Sequence, residues 1–256
     1  MKLSTLFLLT LIFFCGSLSA QYSRGLLPEG DDEYAKLPER TPLVTRSYTV
    51  MPPRFSMRQN APRPRNQGGN GNCTGWAAGY CARTIIEARR RGWTDRDQIT
   101  RNAYSPGFTF LQGGGGEESC TGAFNSPVVR SLASLGAVRN AEIELENGTT
   151  ECPKYPIPMQ TLNAARANRI PFPLTLWGPA FTDAYAKIIR TKRAVSAGHP
   201  VVISMVAPKS FEGVDAGGTV GSDGRWIPEA EYPSAEDCRT RCHAVTVVGY
   251  DDDRRR

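Results

Sequence analysis

Apolar residues recur at helical spacing through the first half of the chain and in unbroken, strand-like runs through the second. This change of period constrains the fold more than any other feature. Across residues 73–91, Trp76, Ala77, Tyr80, Cys81, Thr84, Ile85 and Ala88 form one stripe, and Gly92 supplies a stop. Arg83, Glu87, Arg90 and Arg91 fall off that stripe. Their four-residue spacings (Arg83 to Glu87, Glu87 to Arg91) therefore read as solvated ion pairs worth only ~0.3 kcal/mol each. Ser126-Pro127 predicts a second helix with a serine cap, an inward face of Val128, Val129, Leu132 and Leu135, and an end at Gly136. A third is predicted over 183–197, stopped by Gly198. Residues 200–206 and 244–248 read as strands. Helices first and strands later predict an α+β fold, a helical region beside a sheet-rich one, with a cleft between them.

Residues 1–20 have a basic start, an apolar run from Leu6 to Cys15 and a small-residue close at Ala20, the layout of a cleaved secretory signal. The run is short for a membrane span, so the expected product is secreted or periplasmic with no stable membrane insertion. Residues 21–50 are a proline-rich, extended lead-in expected to lie against the surface, and residues 51–256 form one domain. The formal charge of +6 is spread among many acidic residues, without a basic stripe or interleaved aromatics, so no nucleic-acid partner is expected.

Chemistry concentrates in two separated segments: Asn66-Gln-Gly-Gly-Asn-Gly-Asn-Cys-Thr-Gly-Trp-Ala77 and His243-Ala-Val-Thr-Val-Val-Gly-Tyr250. Cys73 precedes the helical stripe, where unpaired backbone N–H groups and a nearby imidazolium favour a thiolate. His243 supplies the imidazole, and Gln67, six residues before Cys73, supplies an amide donor. With Cys15 removed, six cysteines remain, and a working thiol at Cys73 leaves an odd number, so at least one more cannot pair within the chain. Cys238, Cys242 and His243 lack a fourth ligand and the spacing of a tetrahedral metal site, and the run Gly113 to Gly116 has no phosphate-binding lysine. No metal or cofactor is expected. His199, before the strongest strand, reads as a turn residue.

The two segments, in this order, resemble those of the papain-like cysteine peptidases, in particular the bacterial branch with a Gly-Asn-Cys-x-Gly-Trp-Ala type segment. The resemblance runs from about Pro52 to the end of the chain. It implies a two-region fold with Cys73 on a helical left side and His243 on a sheet-rich right side. It also implies Cys73 as nucleophile, His243 as general base, Gln67 as oxyanion donor, and a peptide or protein substrate. A secreted peptide-binding protein that keeps the cleft without efficient turnover is the alternative. The lead-in is too short for a large helical inhibitory propeptide. Thr74 and Asn70 stand where the family often carries tryptophan and a disulfide cysteine. Cys120 with Cys152 is one candidate disulfide, while Cys238 and Cys242 either pair or stay free. No asparagine follows His243, and the last sheet strands that the family normally supplies are expected to be missing, so the expectation is a domain incomplete at its C-terminus.

Overall fold

The structure, a computed structural model, describes residues 25–40, 51–115, 122–143, 157–207, 211 and 241–253. The signal segment, lead-in residues 41–50, Gly116 and cysteines 120, 152 and 238 lie outside the described residues.

The lead-in contributes strand β1 (Leu26–Leu27) and helix α1 (Asp31–Ala35). Strand β2 (Arg54–Ser56) precedes a long central helix made of α2 (Cys73–Gly75), a π-helical stretch (Trp76–Arg83) and α3 (Thr84–Arg91). There follow α4 (Arg96–Arg101), α5 (Pro106–Gln112), β3 (Ala123–Phe124), α6 (Asn125–Ser134) and α7 (Met159–Arg166). Helix α8 (Ala184–Ser196), β4 (Val201–Val206), β5 (Cys242–Val247) and β6 (Gly249–Asp251) complete the second half.

The central helix runs over 73–91 as its apolar stripe predicts, and Gly92 ends it in the left-handed conformation that a side chain resists. What the stripe does not reveal is that the helix is enclosed on three sides. Ala78 enters a core with Tyr104, Phe108, Phe110, Val128 and Leu132. Cys73 and Ala77 pack with Leu26, Cys242 and Ala244, and Ile85 packs with Met57, Ala61 and Val195. Helix α5 comes close because Gly75 and Gly79 present no side chain: a Cβ on Gly75 would lie 2.2 Å from the Pro106 carbonyl oxygen, and one on Gly79 2.4 Å from Thr109 Oγ1.

Enclosure changes the meaning of the charged positions. Arg83 and Glu87, expected at a solvated face, are both buried, with side chains 4% and 3% exposed. Glu87 accepts from Arg83 at 3.1 Å, Arg90 at 2.7 Å and Arg91 at 2.5 Å, and Arg83 also lies over the Tyr104 ring at 4.2 Å. Burial alone would push the Glu87 carboxyl upward; hydrogen bonds from Arg90 and Arg91 and the charge of Arg83 overcome it and hold the group at about 2. A buried pair of this kind strongly penalises loss of either partner.

In the sheet-rich half, β4 and β5 pair antiparallel from Val201↔Val247 to Val206↔Cys242, and β2 pairs antiparallel with β6. Helix α8 packs on β2, β4 and β6, its start capped by Asp183, whose carboxylate accepts from the Ala186 backbone N–H at 3.0 Å. Helical and sheet regions are thus segregated as an α+β fold. Thr246 Oγ1 donates to the Ala77 carbonyl at 2.8 Å and joins the two regions beside the start of the central helix.

Two local expectations need correction. Leu135 faces outward at 38% exposure, because the helix has ended at Ser134 and the chain is already turning at Gly136. Ser126 is not the cap of α6 but lies inside its first turn. Its backbone N–H and hydroxyl donate to the Glu29 carboxylate at 2.8 and 2.6 Å, so the lead-in supplies the capping group.

Candidate active site

Cys73 opens the central helix and is wholly buried. Its Sγ accepts from the backbone N–H of Ala244 at 3.4 Å, which brings the thiol onto β5 one residue from His243. His243 sits opposite Met205 in the β4–β5 ladder, and its ring meets that of Phe211 at a centroid distance of 5.9 Å and an interplanar angle of 60°. Two segments 170 positions apart in sequence therefore converge on one point, as 243 minus 73 states.

Gln67 is half-buried in the loop that leads to Cys73, and its Nε2 donates to the Asn70 carbonyl at 2.9 Å. The turn around it is shaped by Gly68 at φ +69°, whose N–H donates to Asn66 Oδ1 at 2.8 Å. The Asn70 contact holds the Gln67 side-chain amide within the loop that carries Cys73. His199 is remote from this cluster: its backbone N–H donates to the Ala194 carbonyl at the end of α8. Burial, helped by the Arg40 and Arg89 charges, holds its ring below the usual imidazole range.

The thiol is covered by the lead-in. The lead-in does not lie on the outer surface at this point; β1 pairs parallel with β3 (Leu26↔Ala123), and the Ala123 N–H donates to the Gly25 carbonyl at 2.9 Å. Leu26, 4% exposed, packs on Cys73, Ala77, Cys242 and Ala244, with Val202 and Val206 behind them. Gly25 adopts φ +65°, and a Cβ there would fall 1.8 Å from the Gly71 carbonyl oxygen. The backbone of the lead-in thus touches the loop that carries the thiol. A glycine followed by two leucines in a polar, proline-rich stretch is the one sequence signal that could have flagged it.

This cover sets the state of the sulfur. Burial drives the Cys73 thiol up to about 12, against the opposing pull of the N–H groups of Ala244, Thr74 and Cys73 itself. Leu26 is part of the apolar packing that buries Cys73, and that burial opposes the thiolate its helix position favours. Among the described residues Cys73 and Cys81 are free thiols, so Cys81 is a second unpaired cysteine of the kind the odd count requires. Cys242 is disulfide-bonded, which settles that it is not free; its partner lies outside the described residues. Among the described residues, no group of three or more His, Cys, Asp or Glu side chains comes together to hold a metal ion, and no helix is long and apolar enough to cross a membrane.

No protein-family model matches the chain, and no curated protein matches it in sequence. Solved structures do. The cysteine protease xylellain from Xylella fastidiosa superposes with a TM-score of 0.58 at 20% identity, over 91% of this chain and 81% of that one. The proform of Amb a 11, a cysteine protease and major ragweed pollen allergen, gives 0.53 at 17% identity, over 91% of this chain and 62% of its own length. Digestive procathepsin L 3 of Tenebrio molitor larval midgut gives 0.52 at 17% identity, over 90% and 68%. The fold is that of the papain-like cysteine proteases.

Proposed function

We propose that the chain is a cysteine peptidase in which Cys73, His243 and Gln67 carry the reaction. The observation that supports this most is the contact between Cys73 Sγ and the N–H of the residue after His243, within a papain-like fold. In this reading His243 takes the proton from the Cys73 thiol, and the sulfur attacks the carbonyl carbon of a peptide bond. The developing oxyanion receives a Gln67 side-chain N–H and the Cys73 backbone N–H. Collapse breaks the C–N bond as the imidazolium protonates the leaving amine. Water, deprotonated by His243, then attacks the thioester and releases the acid and the thiol. Action on exported protein substrates is the reading that the signal-like N-terminus supports.

Turnover requires Leu26 to move aside, because its packing on Cys73 covers the sulfur and burial disfavours the ionised form. The packing of Leu26 on Cys73 also favours the second reading, a peptide-binding protein with negligible turnover. Hydrolysis of unfolded casein by the purified protein, beside Cys73→Ser and His243→Ala, separates the two. New amine termini produced by the wild type and lost in both variants support the peptidase. Saturable peptide binding with no thiol-dependent product supports the binding protein and ends the peptidase reading.

A further inference from the structure

We propose that Phe211 is a positioning residue that fixes the plane of the His243 imidazole; this rests on the peptidase reading of Cys73 and His243. Two neighbours already constrain the backbone of His243: Cys242 is disulfide-bonded, and the Ala244 N–H is engaged by the Cys73 sulfur. Backbone anchors on either side place the Cα but leave the side-chain torsions to be set by what the ring touches. The Phe211 ring provides that contact, tilted by 60° at 5.9 Å, inside the range in which aromatic pairs attract through their quadrupoles. Phe211 follows β4, so the same antiparallel unit that carries His243 on β5 also returns an aromatic ring against it.

The consequence is specific to the proton-transfer role. An imidazole that takes a proton from sulfur and later delivers it to a leaving nitrogen must keep one ring plane through both steps, and small misalignments are costly. Phe211 touches neither the sulfur nor the scissile bond in this account. Its removal widens the set of ring orientations without removing a reacting group. The thiolate and imidazolium pair then forms less readily, and a higher pH is needed before it is populated.

The test uses the full chain and the variants Phe211→Ala and Phe211→Tyr, with active sites counted as alkylation at Cys73 mapped by peptide mass spectrometry, apart from the free thiol of Cys81. Per active site, Phe211→Ala is expected to lower kcat about tenfold with KM changed less than twofold, and to move the acid limb of the pH profile upward. Phe211→Tyr, which keeps the ring, is expected to restore both. A purely structural role would reduce the number of active sites and leave the profile per site unmoved, and that result overturns the proposal. A readout independent of turnover is the NMR titration of the imidazoles. The chain has two histidines, so His199 serves as internal reference. Phe211→Ala is expected to shift the His243 ring resonances and titration midpoint while those of His199 stay put. Unchanged His243 resonances refute the contact. Absence of turnover in the wild type with this NMR shift present refutes the peptidase reading alone.

Discussion

Replacing Gly25 by alanine is expected to uncover Cys73 and speed its reaction with a small alkylating agent. The new Cβ would meet the Gly71 carbonyl oxygen at 1.8 Å, backbone against backbone, at φ +65°, where a side chain is already disfavoured. Neither can yield cheaply, so the lead-in lifts and carries Leu26 off the sulfur. A thiol at about 12 is ionised to roughly one part in ten thousand at pH 8; relaxed to the usual 9.0, it is ionised to about one part in ten. The gain of about a thousandfold in thiolate is offset by lower intrinsic nucleophilicity. A Brønsted coefficient near 0.45 over the same interval returns about twentyfold, so ionisation alone predicts roughly 50-fold faster labelling. Access adds to that figure. The assay is the rate of iodoacetamide incorporation at Cys73 by peptide mass spectrometry, with Gly30→Ala as control, since a Cβ there meets nothing within 4 Å. Equal rates at Cys73 in folded Gly25→Ala and wild-type protein would refute the claim that the lead-in is what buries the thiol.

Glu87→Gln leaves Arg83 charged and buried without its carboxylate, and should cost about 3–5 kcal/mol, read as a fall of roughly 10 °C in Tm. Because the folded Glu87 carboxyl lies near 2, below its ordinary 4.5, its contribution of about 3 kcal/mol is complete above about pH 4.5 and is lost as the pH falls toward 2; acid unfolding followed by circular dichroism should show that loss in the wild type and not in Glu87→Gln. Gln67→Ala should reduce kcat about a hundredfold with little change in KM, as loss of an oxyanion donor worth about 3 kcal/mol does; an unchanged kcat removes Gln67 from the reaction. Ile85→Ala, at a wholly buried position between the central helix and Met57, Ala61 and Val195, should destabilise by about 2–5 kcal/mol in urea unfolding.

The central helix, α8, and strands β4 and β5 were legible because each buries its apolar residues in a period that local sequence displays. The convergence of Cys73 with the His243 strand was legible only through the pairing of two motifs, since nothing in either segment alone encodes a contact across 170 positions. What escaped notice shares one cause. Arg83 and Glu87 look like surface residues on a helix drawn in isolation, and only the packing of Tyr104 and Arg139 against that face turns them inward. Glu29 as the cap of α6 and Leu26 as the cover of Cys73 are likewise contacts between distant segments, made by residues whose local surroundings read as irregular chain. Phe211 carries no pattern at all; its meaning lies entirely in the ring it meets.

If Cys73 and His243 act as one reactive unit, a peptidyl epoxide traps the thiol efficiently only while the imidazole is present. Intact-mass and peptide mapping of the wild type, Gly25→Ala and Gly25→Ala/His243→Ala proteins would locate the adduct. A single adduct at Cys73 is expected, slow in the wild type, fast in Gly25→Ala, and reduced at least a hundredfold when His243 is also replaced. Labelling at Cys73 that is indifferent to His243, or that falls on Cys81 instead, would contradict it.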